Sequence, residues 1–295
     1  MHTRIGLGNY FPLLAIPFVI AMPEISLWFA PYTRWLLGAL MFFSFLGLGL
    51  TDLVRELRNS REAFYVSLVI LVLTPLVIYP VMQRFFPEYL AGAFLFMLLP
   101  SAVSSPAVAA LYGGKVAKAT LNTVVSNLLC PFTITLFLAL FMRANIHVDL
   151  MKIFFPLLVI IAVPFALGLL AHRVIPKWVD RTKHYYRPIN LFLLFLFFVA
   201  ALSPYGAKIV EHVLDGRLWT AVLVTYAVLF CFAKLSVLHQ KDRAERVAIE
   251  SNLLFLNVGL GVLLAQSFFG TEEILFIVFC EIVWLALVPL LKYFR

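Results

Sequence analysis

Pro100-Ser101-Ala102-Val103-Ser104-Ser105-Pro106 interrupts an apolar, charge-free run that extends from 89 to 114. A run of about 20 mostly apolar residues is enough to cross the hydrocarbon of a bilayer. Two prolines within it each remove a backbone donor and push the preceding residue out of the helical region. The small and hydroxyl residues between them can turn carbonyls and side chains toward a cavity. The stretch therefore predicts a membrane-spanning helix that is broken near its middle.

The rest of the chain fits that reading. Of 295 residues, 63% are hydrophobic and 13% charged, and 29 are phenylalanine. A soluble domain carries about 25% charged residues. With 23 basic and 15 acidic side chains, this chain cannot cover a water-facing surface. That excludes a soluble enzyme, a nucleic-acid binder and a disordered chain. Further spans are predicted at 5–23, 35–51, 63–83, 119–142, 153–172, 188–207 and 251–271. Another runs from Leu218 until Lys234, which can snorkel to an interface, and a last one at 274–291 is interrupted only by Glu281. The predicted fold is an all-α polytopic membrane protein of ten transmembrane helices. The first stretch has the outline of a signal peptide but lacks a small-residue cleavage site before Glu24, so it is expected to stay.

Orientation follows from the basic residues. With a cytoplasmic N-terminus, 17 of 23 fall inside, and Arg34, Arg84, Arg143, Lys152, Lys208 and Arg217 fall outside. The expectation is a multi-pass protein of the plasma (inner) membrane with both termini cytoplasmic. The net charge of +8 is then a topology signal and calls for no nucleic acid. Trp28, Trp35, Trp178 and Trp219 fall at predicted span ends, as an aromatic belt requires. Cys130, Cys231 and Cys280 lie inside spans, where packing is their expected role. No thiol pair is spaced for a metal or redox centre. No cofactor is expected, and the expected state is a monomer in the lipid bilayer.

The chain also repeats itself. Phe11-Pro12-Leu13-Leu14 and Ile16-Pro17-Phe18 return as Phe155-Pro156-Leu157-Leu158 and Val163-Pro164-Phe165, about half the chain later. Five spans per half is an odd number, so the second half enters the membrane from the opposite side. Inverted repeats of this kind, here 1–148 and 149–295, are typical of secondary transporters, whose sites lie in broken helices near the midplane. The counterpart of the opening stretch is Glu250-Ser251-Asn252 followed by Asn257-Val258-Gly259-Leu260-Gly261. Two broken helices crossing there would bring dipole ends and free carbonyls to one point. Ser104, Ser105, Pro106, Asn252 and Asn257 are the candidate substrate and crossover residues.

These residues resemble the bile acid:sodium symporter (BASS) family, as a divergent bacterial-type member. Gly47-Leu48-Gly49-Leu50-Thr51, Pro100 to Pro106 followed by Gly113-Gly114, and Asn257-Val258-Gly259-Leu260 carry the resemblance together. It implies a panel subdomain (spans 1, 2, 6, 7) and a core subdomain (spans 3, 4, 5, 8, 9, 10) with crossing helices 4 and 9. It also implies alternating access of organic anions through a crevice between the two. The departures concern sodium. Where sodium-coupled members have a Ser-Asn pair, this chain has Ser105-Pro106. One hydroxyl ligand of span 5 falls on Thr123 and the other on Ala119, and a span-3 glutamine falls on Ile70. The span-9 glutamate falls on Asn252 and the glutamine on Leu256, with Arg246 in register. Ser104, Ser105, Thr123, Ser126, Asn252 and Asn257 still offer neutral oxygens, whereas a bare cation in low dielectric wants a balancing carboxylate. The possible ion site is Ser105, Thr123, Ser126 and Asn252, with Glu250 nearby in sequence but two residues out of register.

Two carboxylates stand apart. Glu281 lies mid-span, where charge costs about 2.5–3.5 kcal/mol on insertion scales and usually serves a cavity or partner. It is a candidate proton or cation carboxylate; the plainer alternative is a neutral acid bonded to a neighbouring helix. Glu250 stands one turn after Arg246, so an ordinary i,i+4 pair would explain it.

The expected function is secondary active transport of a small organic anion, with sodium or the proton as coupling ion. A proton-coupled or uncoupled carrier, an exporter, or a passive facilitator of the same fold are the alternatives. Enzyme motifs such as H-E-x-x-H or G-x-S-x-G are missing from the sequence.

Overall fold

The computed structural model describes residues 14–47, 60–142 and 150–290, the side chains of Ser60 and of 285–290 excepted. The first repeat's Phe11-Pro12-Leu13, the motif from Leu48 to Thr51 and the half-chain boundary at 148/149 lie outside the described residues. Among the described residues every regular element is helical and no strand occurs; a single antiparallel bridge, Ser101 with Leu256, is isolated.

The helices are α1 (Ala15–Ala21), α2 (Pro23–Phe29) and α3 (Thr33–Leu46). Next come α4 (Ser60–Leu68) and α5 (Thr74–Phe85), joined without a break by a π-turn at Val69–Leu73, then α6 (Leu90–Met97), α7 (Ser105–Leu111) and α8 (Val116–Phe141). The remainder are α9 (Leu150–Val174), α10 (Pro176–Leu202), α11 (Gly206–His212), α12 (Gly216–Ser236), α13 (Arg243–Leu254), α14 (Val258–Phe268) and α15 (Thr271–Leu290).

Six helical stretches among the described residues are long and apolar enough to cross a membrane: Pro23–Leu46, Arg61–Phe85, Val116–Phe141, Leu150–Val174, Pro176–His212 and Gly216–Ser236. The pairs α6/α7 and α13/α14 fall short of that length because an interruption separates the two helices of each. The outer surface is apolar in continuous rows. Phe132, Leu136 and Leu140 line one face of α8, and Phe155, Val159, Val163, Leu167 and Leu170 line α9, all exposed. Exposed apolar rows of this extent suit hydrocarbon and not water. The chain is an integral membrane protein.

Several predicted loops are helical. Residues 24–34 form α2 and a 3-10 turn at Ala30–Tyr32, so the helix of the second span begins far earlier than position 35. The charged stretch 176–187 is the first three turns of α10, opened by Pro176 at a position where its missing N–H costs nothing. The span starting at 251 begins instead at Arg243. Counting charge-free residues measures hydrocarbon thickness, and these helices run on past it.

The contacts divide the chain into two compact units, 1–50 with 158–214 and 51–157 with 215–295. In the first, α10 packs along α3, α2 and α1. Leu46, Val179 and Tyr186 form a buried cluster there, the Tyr186 hydroxyl donating to Val179 O at 3.2 Å. His172 Nε2 meets Leu46 O at 2.9 Å, and Phe45 stacks edge-on against Phe165. The second unit packs α4 on α8, α6 on α5 and α15, and α13 on α7, α8 and α12. It holds both broken spans.

Trp28, Trp35 and Trp178 are exposed near helix ends, as a belt requires, while Trp219 is half-buried against Phe279. Cys130 and Cys280 are buried, but Cys231 is exposed. The packing role expected for all three cysteines therefore fails for Cys231, whose weakly polar thiol lies on the outer face of α12.

Candidate functional site

Both interruptions are real. The helix of span 4 stops at Met97 and resumes at Ser105; that of span 9 stops at Leu254 and resumes at Val258. Between the stops the two backbones pair. Ala102 N donates to Phe255 O at 2.7 Å and Asn257 N donates to Pro100 O at 2.8 Å. Helix breaks leave donors and acceptors without intrahelical partners, which in lipid would be costly; here each break satisfies the other. Gly261 allows this close approach, since a Cβ there would lie 2.6 Å from Leu99 Cδ1 and 3.4 Å from Ile277 Cγ2.

Around the pairing lies a buried, uncharged network. Ser101, Ser105, Asn122, Thr123, Ser126, Asn127 and Asn252 are fully buried and Asn257 nearly so. Asn252 is the hub. Its Nδ2 donates toward Ser101 Oγ at 2.7 Å, Thr123 Oγ1 at 2.9 Å and Ala119 O at 3.1 Å, while its Oδ1 accepts from Asn122 Nδ2 at 3.2 Å. The Ser101 hydroxyl donates to Ser105 Oγ at 3.0 Å, and Ser105 donates onward to Phe255 O at 3.3 Å. Thr123 Oγ1 donates to Ala119 O at 2.9 Å. Ser126 Oγ accepts from Ser101 N at 3.3 Å and donates to Thr123 O at 3.1 Å. Asn127 Nδ2 ties Ser101 O at 2.9 Å to Thr123 O at 2.8 Å, and its Oδ1 accepts from Asn257 Nδ2 at 3.3 Å. Asn257 Oδ1 caps α14 through Leu260 N at 3.2 Å. Asn122 Oδ1 is buried and accepts from none of the described residues.

The predicted residues are thus sorted. Ser105, Thr123, Ser126, Asn252 and Asn257 come together, and Pro106 is buried in the first turn of α7. Ser104 does not join them: it is exposed, and its side chain makes no capping bond. Glu250 does not join them either. Its Oε1 accepts from Lys234 Nζ at 2.7 Å. Its partner is thus Lys234 on α12 and not Arg246. Glu281 is 7% exposed. It hydrogen-bonds none of the network residues and pairs with no described lysine, arginine or histidine. One turn along α15, Trp284 packs edge-on against Phe255 in the break.

Sequence reading missed Asn122 and Asn127, and did not single out Ser101. The signal existed: Asn122, Thr123, Ser126 and Asn127 recur at helical spacing on one face of an otherwise apolar span.

A separate ionic cluster closes one end of the same unit. Lys115 Nζ pairs with Asp242 Oδ2 at 2.9 Å and Glu245 Oε1 at 2.7 Å. Lys118 pairs with Glu62 Oε2 at 2.5 Å and Glu245 Oε2 at 3.3 Å. Bonding to Glu245 and Asp242 raises the Lys115 ammonium above its ordinary value. The bond from Lys115 lowers both Asp242 and Glu245.

Residues 4–290 match the family model described as the SBF-like CPA transporter family. The chain belongs to that family. It is also 30% identical, over 256 residues, to the probable sodium/metabolite cotransporter BASS4, chloroplastic, of Oryza sativa subsp. indica and of subsp. japonica. The match covers 81% of this chain and 60% of each rice protein. An uncharacterized protein of Bacillus subtilis (strain 168), YbaS, is 24% identical over 197 residues, covering 63% of this chain and 62% of its own length. This chain therefore spans less than two thirds of the length of the curated relatives it matches. The resemblance to BASS proteins read from short motifs is upheld: the matching family is described as one of transporters, and the rice relatives are named as probable cotransporters.

Proposed function

We propose that this member of the SBF-like CPA transporter family is a secondary active carrier of a small organic anion, working by alternating access. In this reading ten spans form two inverted five-span repeats, 1–148 and 149–295, in the plasma membrane with both termini cytoplasmic, and the protein acts as a monomer. Panel and core correspond to spans 1, 2, 6 and 7 and to spans 3, 4, 5, 8, 9 and 10. The two compact units support that division, since 1–50 groups with 158–214 and the rest forms a second body.

The observation that carries the reading is the crossover. Two spans break at the same level, and their backbones satisfy one another through two hydrogen bonds. Such a break costs membrane stability, and transporters use it to bring polar groups to mid-membrane. The N-terminus of α14 adds a positive dipole end there. Ser104 is the crossover hydroxyl left open to a ligand, whereas Ser105 is turned inward and bonded. Ser104 therefore serves substrate, and Ser105 serves structure.

The test is a thermal-shift screen of the purified protein against organic acids, followed by uptake into proteoliposomes of those that raise the melting midpoint. A ligand that binds only the folded state raises it. Ser104→Ala should lose the shift and slow uptake while its ligand-free midpoint stays within about 1 °C of wild type. An organic-acid shift equal in wild type and Ser104→Ala would remove Ser104 from the site. Conductance at channel rates without substrate saturation would replace the carrier by a facilitator.

A second reading concerns coupling. Glu281 is a buried carboxylate with no described basic partner, which suits a group that takes up and releases a proton. Uptake driven by a proton gradient and lost in Glu281→Gln would support it. Uptake unchanged in that variant would leave the carrier uncoupled from this residue.

A further inference from the structure

The rice relatives are named as probable sodium/metabolite cotransporters, and sodium would be a co-substrate of such a carrier. The crossover contains the oxygens that a small cation would use. Ser101 Oγ, Thr123 Oγ1 and Ala119 O converge on one point, and the two hydroxyls donate elsewhere than to that point, Ser101 to Ser105 Oγ and Thr123 to the cage oxygen Ala119 O. Both hydroxyl oxygens are left as acceptors toward that point. What sits at that point is the amide nitrogen of Asn252, at 2.7, 2.9 and 3.1 Å from the three oxygens.

We propose that the Asn252 amide is a built-in substitute for a cation, so that this carrier neither binds nor requires sodium at the crossover. The amide N–H groups carry partial positive charge into the oxygen cage, and the distances are those of ordinary N–H···O bonds. Three acceptors share two N–H groups, so the cage is filled with no unpaired donor. A cation entering it would have to displace the amide and would meet no negative charge. None of the acids facing this region from the packed elements reaches it. On α13, Glu250 is paired with Lys234 and Glu245 with Lys115 and Lys118. On α4, Glu62 is paired with Lys118. On α15, Glu281 bonds to none of the cage residues. A bare cation in low dielectric without a paired charge is strongly disfavoured.

The inference deepens the carrier reading, but it is tested by binding and not by transport, so the two can fail separately. Purified wild-type protein is melted in sodium chloride and in choline chloride at equal ionic strength, with 22Na binding measured in parallel. The expected wild-type midpoints agree within about 1 °C and sodium binding stays at background. Asn252→Asp keeps the shape and supplies the missing charge. It should gain a sodium-specific rise of at least about 3 °C together with saturable 22Na binding. Adding Thr123→Val to Asn252→Asp should abolish that gain. Saturable sodium binding by the wild type, or no sodium response in a folded Asn252→Asp, overturns the proposal. Should Asn252→Asp not fold, the wild-type measurements decide by themselves. Organic-acid binding in the absence of sodium bears on the carrier reading alone.

Discussion

Replacing Gly92 by alanine should destabilise the second unit, and the structure indicates by how much. Gly92 lies in α6 where it crosses α15. A Cβ there would sit 2.7 Å from Phe276 Cβ, 3.0 Å from its Cγ and 3.4 Å from Glu273 Cα. Carbon atoms in good contact are about 3.5–4.0 Å apart. Phe276 is fully buried and the clashing atom is attached to its backbone, so no rotamer change relieves the overlap. The two helices must separate by about 1 Å, an overpacking cost of about 1–3 kcal/mol. Alanine's better helix propensity offsets up to about 1 kcal/mol of that. The net loss of about 1–2 kcal/mol corresponds to a melting midpoint about 3–6 °C lower. Gly38 is the matched control: it lies in α3 and an added Cβ there meets nothing within 4 Å. Gly38→Ala should hold or raise the midpoint by about 2 °C. The assay is differential scanning fluorimetry of both variants in one detergent. A Gly92→Ala midpoint at or above wild type, or a Gly38→Ala loss of equal size, would refute the packing of α6 on α15.

Three more outcomes follow from the same geometry. Lys118→Met leaves Glu62 and Glu245 together at a largely buried site, so the midpoint should fall by about 4 °C, and Glu62→Gln should restore part of it. Ser105→Ala removes a buried hydroxyl that links Ser101 to Phe255 O and should cost about 1 kcal/mol in denaturant titration, with Ser105→Thr differing from it. The Lys115 cluster sets a pH window. Asp242 and Glu245 are lowered, so their contribution is complete above the ordinary carboxylate range and is lost as pH falls through the lowered values. Lys115 is raised, so its contribution is complete below the ordinary lysine range and is lost only at still higher pH. The midpoint difference between wild type and Lys115→Met should therefore be flat from about pH 5 to 9 and shrink in acid below about pH 4; a difference that changes steeply near neutrality would contradict the pairing.

Much of this was legible in the residues. Proline at 100 and 106 and the asparagine-glycine run from Asn257 marked both breaks, because a helix in lipid tolerates such residues only where something else satisfies the backbone. Low charge and the absence of a coverable surface gave the membrane class. The partners were not legible. Asn122 and Asn127 sit in the charge-free span 119–142, whose proline, Pro131, leaves the helix unbroken, and only the three-dimensional meeting of α8 with the breaks shows that their amides serve the crossover. Glu250 was expected beside Arg246 by helical spacing, but Lys234, sixteen residues earlier on another helix, holds it at 2.7 Å. The helical stretches at 24–34 and 176–187 escaped because spans were ended at charged residues, Glu24 and Arg34 in the first case and the run of charges up to Arg187 in the second, whereas the helices continue through them.

The most direct test is a cysteine pair at Ser101 and Leu256, in a background where Cys231 is serine. The two residues face each other as a non-hydrogen-bonded antiparallel pair between the bonds Ala102 N to Phe255 O and Asn257 N to Pro100 O. Such pairs bring Cα atoms to about 4.5 Å, inside the range a disulfide spans. Mild oxidation of the purified, monodisperse protein should join the two halves, so that fragments cut between the cysteines stay together until reduced. Two thiols that remain fully alkylatable in the folded protein would mean that the breaks do not meet.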